Sequence, residues 1–200
     1  MGKLLESRFY KDVTDKPLQE YPRPQLRRDS YLNLNGYWKY AIRQIDADFD
    51  GKYDGDILVP FSPETLLSGV MRNVTPDDML YYNLEFDIPD SFLNDKTILH
   101  FTAVDYACNV ILNGKSVGSH TGGFYPFDLD ITDIVRPGTN VLQVEVVDPT
   151  GNGVGAKGKQ NESPNTIWYT PQSGIWGTVW MESVSVDYIS DLKITTDIDN

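Results

Sequence analysis

Tyr82-Asn83-Leu84-Glu85-Phe86-Asp87-Ile88 sets an apolar side chain at every second position and a polar one between. Successive side chains of a strand point to opposite faces, so this is the pattern of a half-buried strand; a helix would space its apolar residues three and four apart. The same period recurs downstream. Leu99, Phe101 and Ala103 alternate with His100 and Thr102, Phe127, Leu129 and Ile131 with Asp128 and Asp130, and Leu142, Val144 and Val146 with Gln143 and Glu145. Repeated burial of one face predicts short strands stacked into sheets.

Turn chemistry punctuates these strands. Asn113-Gly114 stands between Val110-Ile111-Leu112 and Ser116-Val117, and a type I′ turn, which needs positive φ at both central residues, favours that pair. Pro137-Gly138-Thr139-Asn140 breaks the chain before the Leu142 strand, and Asp148-Pro149-Thr150-Gly151-Asn152-Gly153 breaks it after. Only Pro63 to Ser68 reads as a helical turn. The pattern predicts an all-β, two-sheet sandwich without substantial helix, and the uneven loops favour a jelly roll over an immunoglobulin arrangement. Residues 1–30, with Pro17, Pro22 and Pro24 among many charges, read as an extended arm, and 31–188 as the sandwich. Residues 189–200, from Asp191 through Leu192 and Ile194, read as a linker and the severed first strand of a following domain.

The composition narrows the function. Seventeen basic against 29 acidic residues give a net charge of -12, which opposes nucleic acid and weakens binding to anionic membranes. No apolar run approaches the roughly 18 residues that span a bilayer, and Lys3, Glu6 and Arg8 occupy the place of a leader's apolar core. Cys108 is the only cysteine, so no intramolecular disulfide is available and the expected location is cytoplasmic.

Thr166-Ile167-Trp168-Tyr169-Thr170-Pro171-Gln172-Ser173-Gly174-Ile175-Trp176-Gly177-Thr178-Val179-Trp180 joins an aromatic, proline-broken loop to a strand. Aromatic rings stack on the C–H face of a pyranose while neighbouring polar groups bond its hydroxyls. Trp176 and Trp180, at or within the strand, read as structural; Trp168 and Tyr169 face either a ligand or the core. The preceding stretch, Gly151 to Pro164, is the longest without pattern, and such loops are often functional. Its glycines are not followed by a helical pattern, so it makes no phosphate cradle.

Other constellations read as structural. Asp46 to Ile57 spaces its oxygens and Gly51 like a calcium loop, but position 12 is Ile57 rather than a bidentate carboxylate, so an acidic hairpin loop is expected and no metal site. His100 is expected on the outer face of its strand, His120 as a turn-stabilising hydrogen bonder, and Cys108 as a small buried residue. With two histidines no three-histidine metal site can form. Glu64 and Glu162 fall in loops and read as solvated or capping rather than catalytic.

The chain resembles the N-terminal sugar-binding domain of family-2 glycoside hydrolases, the group of β-galactosidases, β-glucuronidases and β-mannosidases, across roughly residues 20–188. The carriers are Tyr21-Pro22-Arg23-Pro24-Gln25 with Leu34-Asn35-Gly36-Tyr37-Trp38, Val59-Pro60-Phe61-Ser62-Pro63-Glu64 with Leu67-Ser68-Gly69, and Leu112-Asn113-Gly114-Lys115 with Val117-Gly118. Gly122-Gly123-Phe124-Tyr125-Pro126-Phe127 and Ser173-Gly174-Ile175-Trp176-Gly177-Thr178-Val179-Trp180 complete the set. The resemblance implies a galactose-binding-like jelly roll that, in an intact enzyme, packs on an immunoglobulin-like domain and a catalytic barrel. The barrel carries both catalytic glutamates, so none is expected here, and no cofactor is implied. It also implies that a loop over Gln160–Gln172 reaches the barrel's sugar pocket, with Trp168 and Tyr169 as candidate contacts and Asn165 where certain members carry an acidic residue. The expected role is a non-catalytic, substrate-shaping domain of a retaining, β-galactosidase-like enzyme; the alternative is a free-standing carbohydrate-binding module or lectin. An adhesion or scaffold sandwich without a sugar ligand is a third option, favoured if the Trp168 loop is buried against the domain itself.

Overall fold

The computed structural model describes residues 6–152 and 155–198. Lys3 of the leader argument, Gly153 of the glycine-rich stretch, and Asp199 and Asn200 at the C-terminal end lie outside the described residues. The strands in chain order are β1 (Tyr31–Asn33), β2 (Gly36–Gln44), β3 (Gly55–Val59), β4 (Asp78–Ile88), β5 (Lys96–Phe101), β6 (Val104–Asp105), β7 (Ala107–Leu112), β8 (Lys115–Thr121), β9 (Phe127–Asp130), β10 (Gly138–Val147), β11 (Gly174–Ile175) and β12 (Val179–Val184). They form a six-stranded sheet, β3-β2-β4-β10-β7-β8, and a four-stranded sheet, β1-β12-β5-β9, with a short β11-β6 pair at one end. Every strand pairing within these sheets is antiparallel.

The period-two segments build the core row by row. Register aligns Leu84, Leu142 and Leu112 across β4, β10 and β7, then Tyr82, Val144 and Val110, then Leu80, Val146 and Cys108. The facing sheet answers with Val179, Phe101 and Phe127 in one row and Met181, Leu99 and Leu129 in the next. Most of these side chains are buried, with Trp38 and Ile131, in one contiguous cluster that Leu84, Leu129 and Phe127 border. Cys108 is buried as its apolar surroundings predict.

Local chemistry closes the connections. Asn113 and Gly114 take φ of 51° and 78° between β7 and β8, the left-handed pair that a tight hairpin demands. The turn expected after Pro63 is a 3-10 turn over Leu66–Ser68, where the Thr65 hydroxyl accepts from the Ser68 amide and Gly69 caps at φ 81°. Gly174, at φ 72°, is required twice over: a Cβ there would lie 2.1 Å from the Tyr82 phenol oxygen and 2.8 Å from Leu80 Cδ2.

The outer face of the four-stranded sheet departs from simple alternation, because the N-terminal arm covers it. Every residue of β12 is buried. His100 does point away from the core, as its position in β5 requires, but it is only 4% exposed rather than lying open on an outer face. It stacks on Trp180 at 3.8 Å between ring centres, and Arg23 of the arm lies over the same indole at 4.9 Å. Glu182, beside Trp180 on that face, accepts from the Tyr21 phenol at 2.6 Å and Arg23 at 2.5 Å, with His100 Nε2 at 3.4 Å and Arg28 at 3.8 Å. Asp128 holds the other ring nitrogen of His100.

Burial alone would raise the Glu182 carboxyl, but the hydrogen bonds of His100 and Tyr21 and the charge of Arg23 outweigh it and bring the pKa down to about 2. Burial would likewise lower His100, and the bonds and charges of Asp128 and Glu182 overcome it, so its pKa is raised. Removing one partner of a buried ion cluster strands the other charges at a cost of about 3–5 kcal/mol. Glu182→Gln is therefore expected to lose about 3 kcal/mol in urea unfolding, as read by far-UV circular dichroism. The sign with pH follows from the two shifts. Glu182's contribution is complete above its ordinary 4.5 and is lost as pH falls through about 2, whereas His100's is complete below its ordinary 6.5 and is lost as pH rises through its elevated value. The gap between wild type and Glu182→Gln is accordingly expected to be widest between pH 4.5 and 6.5; unfolding curves giving a gap flat from pH 3 to 9 would contradict this account.

Candidate functional site

The aromatic loop hangs from the end of the sandwich where β11 pairs with β6. It leaves the body at Gln160 and returns at Ser173, both buried, while most of the stretch between is exposed. Trp168 is 42% and Tyr169 52% exposed, which places both rings toward solvent rather than in the core. That orientation removes the condition that would have favoured a scaffold with no ligand.

Short-range bonds shape the loop. The Trp168 amide donates to the Asn165 carbonyl at 2.9 Å, closing a turn that puts these two residues side by side. The Asn165 side chain is used locally, its amide donating to the Ser163 carbonyl at 3.2 Å and its oxygen accepting from the Thr166 hydroxyl at 3.4 Å. Tyr169 bridges to the incoming limb: its amide donates to the Lys159 carbonyl at 3.1 Å, its carbonyl accepts from the Asn161 amide at 3.0 Å, and its phenol accepts from the Lys159 amide at 3.0 Å. Gly158, at φ 60°, leaves room for that phenol, which would lie 2.5 Å from a Cβ.

Three buried or half-buried carboxyls lie at the loop's two roots. Asp148 accepts from the Ser173 hydroxyl at 2.8 Å and from the Thr150 amide at 2.7 Å. Glu64 accepts from the Val74 and Ser173 amides, each at 3.2 Å. Asp105 lines the same small cavity as Gln160, and Gln160 accepts from the Gln172 amide at 2.6 Å. Glu64 thus acts as a capping residue, the role expected for it, although it is largely enclosed. Asp105 and Asp148 were not singled out from sequence. The available signal was Asp105 itself, a carboxylate inside the apolar run Ala103-Val104-Asp105-Tyr106-Ala107-Cys108.

Burial raises all three carboxyls. Glu64 is pushed up to about 7 by desolvation, partly offset by the amides it accepts. Asp105 reaches about 7 through desolvation and then the charge of Asp148, with Glu64 adding a smaller push and Gln160 opposing. Asp148 is also raised by desolvation, against the Thr150 and Ser173 hydrogen bonds.

A groove of about 460 Å³ lies between the 60–69 loop and the aromatic loop, lined by Glu64, Thr65, Tyr169, Thr170, Pro171 and Gln172. The fold therefore brings Tyr169 to a groove with a mixed polar and apolar lining and sets Trp168 and Asn165 on the adjoining turn. A second exposed aromatic group, Phe124 and Tyr125, caps the loop after β8. Phe124 meets Trp176 edge-on at 5.6 Å, and the Trp176 indole donates to the Gly123 carbonyl at 2.8 Å. Trp176 is thus half-buried scaffold and Trp180 is buried, in line with their structural reading. His120 bonds the Gly122 carbonyl at 3.1 Å, the turn contact expected of it.

The acidic loop between β2 and β3 uses its carboxylates internally. Arg43 bonds Asp54 at 2.7 Å and the Lys52 carbonyl at 2.6 Å, Asp54 accepts from the Ile42 amide at 2.9 Å, and Phe49 stacks on Tyr81 at 4.3 Å. Among the described residues no group of three or more His, Cys, Asp or Glu is placed to hold a metal ion. Among the described residues no helix is long and apolar enough to cross a membrane.

Comparison with known proteins fits this geometry. The family described as "Glycosyl hydrolase 2 galactose-binding domain-like" matches residues 70–182. A β-galactosidase of Clostridium acetobutylicum is 30% identical over 195 residues, covering 95% of this chain and 18% of that protein. A putative β-glucuronidase of Formosa agariphila is 29% identical over 167 residues, covering 82% of the chain and 19% of that protein. The chain thus spans about a fifth of the length of these relatives. A solved β-D-glucuronidase structure of Dictyoglomus thermophilum shares the fold with a TM-score of 0.64 at 23% identity, covering 87% of this chain and 32% of that one. The sandwich, its ordered motifs and a family match across more than half the chain place the protein among the galactose-binding-like N-terminal domains of glycoside hydrolase family 2.

Proposed function

We propose that this chain is the non-catalytic, substrate-shaping domain of a retaining, β-galactosidase-like glycosidase, and that Trp168, Tyr169 and Asn165 contact the sugar when the domain meets its catalytic partner. The observation that carries the reading is the exposed Trp168–Tyr169 pair on a loop whose return at Ser173 is anchored by Asp148 and Glu64. Such a mount limits the ordering cost of binding, because the Trp168 backbone and the Tyr169 phenol are already bonded. A loop on an open sandwich edge offers only a shallow surface, and apposition of a second domain would enclose it and desolvate its contacts. The β-galactosidase and the putative β-glucuronidase among the relatives support a β-glycoside substrate.

In this reading residues 31–188 form the sugar-facing domain, 1–30 an arm whose Tyr21, Arg23 and Arg28 seal its back, and 189–200 the passage to an immunoglobulin-like domain and then a barrel that supplies both catalytic carboxylates. The exposed Ile189, Leu192 and Ile194, which belong to no strand among the described residues, fit a segment that completes its packing elsewhere. A single buried cysteine suits a cytoplasmic enzyme. The exposed aromatics also favour a second reading, a free-standing carbohydrate-binding module.

Assays with nitrophenyl β-glycosides are expected to give turnover with the longer polypeptide and none with these 200 residues alone; hydrolysis by the isolated chain refutes the non-catalytic role. Trp168→Ala in the longer enzyme is expected to raise KM about tenfold, the equivalent of losing one stacking contact, with little change in kcat. Calorimetry separates the second reading: micromolar, Trp168-dependent binding of galactose-containing oligosaccharides by the isolated chain would favour a module, and absence of heat would favour dependence on a partner domain.

A further inference from the structure

The groove between the 60–69 loop and the aromatic loop holds a single formal charge. Of its lining residues only Glu64 is ionic; Thr65, Tyr169, Thr170, Pro171 and Gln172 are neutral. Glu64 is half-buried and fixed from two sides, one oxygen accepting from the Val74 amide and the other from the Ser173 amide, each at 3.2 Å. Two N–H donors hold the ionised carboxylate better than the protonated one. They also leave acceptor capacity, because a carboxylate offers about four lone-pair sites. A sugar hydroxyl can donate to the sites that remain. A second carboxylate has no proton to give and meets only repulsion there.

Among the described residues no cation lines the groove to offset that charge. Lys157 bonds the Gly151 carbonyl in the small cavity it shares with Asp105 and Asp148, and Lys159 meets Tyr169 through its backbone amide. Arg72, whose amide reaches the Pro63 carbonyl, extends its guanidinium to Asp78 at 3.4 Å. Asp148, bonded to the Ser173 hydroxyl at 2.8 Å, brings a second carboxyl to that residue and not a base. Recognition of a carboxylate calls for a guanidinium or an ammonium at the site, and the groove presents the opposite sign.

We propose that Glu64 is a specificity-determining residue that makes the groove a charge filter, admitting neutral glycosides whose hydroxyls it accepts and rejecting uronosides whose C6 carboxylate it repels. The proposal rests on the preceding reading in placing the sugar beside Tyr169, and it names the substrate class at that place. The two amides that fix Glu64 come from the 60–69 side and from the return of the aromatic loop, so the charge is held where the groove's two walls meet. Apposition of a second domain over the groove would lower the local dielectric and sharpen the discrimination.

Heteronuclear NMR titration of the isolated chain tests this, since contacts too weak for calorimetry still move amide resonances at about 100 mM sugar. The titrations are run at about pH 8, above the value of about 7 to which burial raises Glu64, and at low, matched ionic strength so that salt does not screen the charge. Methyl β-galactoside is expected to shift the amides of Thr65, Tyr169, Thr170 and Gln172. Methyl β-glucuronide is expected to bind at least about fivefold more weakly, the effect of one unit charge at contact distance even in bulk water. Glu64→Gln is expected to bring the two sugars within about twofold of each other. Equal affinity of the wild type for both sugars overturns the filter, and so does an unchanged ratio in Glu64→Gln or the absence of shifts with either sugar. A glutamine at 64 would turn an N–H toward the Val74 or the Ser173 amide. Should that variant lose its dispersed spectrum, Gln172→Lys decides instead: it adds a cation at an exposed lining position, leaves the bonds of Glu64 in place, and is expected to raise glucuronide affinity at least about fivefold. No gain for the glucuronide overturns the filter. Galactoside shifts that persist in Trp168→Ala would sink the Trp168 contact and leave the filter standing, whereas a glucuronide bound as tightly as the galactoside, with both dependent on Trp168, sinks the filter alone.

Discussion

Tyr82 is the constraint on which both the body and its working end depend. Its ring fills the middle row of the six-stranded sheet opposite Val144 and meets Trp38 edge-on at 6.3 Å. Its phenol reaches through the core to accept the Ile175 amide at 3.2 Å. That one bond fixes β11, and with it the return of the aromatic loop, to the centre of the hydrophobic packing. A buried phenol without that partner would carry the desolvation penalty of an unmade hydrogen bond, so ring and amide have to be placed together. Gly174 is glycine for the same reason, since no side chain fits between the phenol and the chain that passes it.

The second sheet is completed by chemistry of another kind. Its inner face is apolar, but its outer face carries an ionic cluster in which one glutamate serves two arginines, a histidine and a tyrosine. Tyr21 packs with Trp180 at 5.4 Å between ring centres, beside Tyr31 of β1 at 5.9 Å, so the arm contributes apolar area as well as charge. A sheet face that would otherwise meet water is covered, and a proline-rich segment with little secondary structure gains a fixed course.

How much of this could be read from the chain differs by distance along it. The alternation at Leu142, Val144 and Val146 and the Asn113-Gly114 turn are local signals, and the structure places strand and hairpin where those residues imply. Trp180 was legible as structural because it sits within a strand, and Cys108 as buried because its neighbours are apolar. His100 was legible only by half: its parity in β5 gave the direction of its ring, but its enclosure depends on Tyr21 and Arg23, far away in sequence. The candidate site divides likewise. Exposed aromatics in a proline-broken loop announce themselves, whereas the Glu64–Ser173 and Asp148–Ser173 bonds join residues that share no pattern. Asp148 stood in an ordinary turn sequence, where its side chain indeed accepts the Thr150 amide, and nothing there foretold its second bond to Ser173.

The direction of β12 carries a consequence for how the molecule is handled and assembled. From Val179, paired with Phe101 near the aromatic loop, it runs to Val184, paired with Lys96 at the opposite end. Six residues at about 3.3 Å each move the chain some 20 Å away before it leaves the sandwich. A fluorophore, affinity handle or surface anchor attached beyond Val184 would therefore sit at the far pole and leave Trp168 and Tyr169 open to solution. Any downstream domain that touches those rings has to travel back along the flank of the sandwich, and the length of the intervening tether becomes a determinant of whether the contact forms.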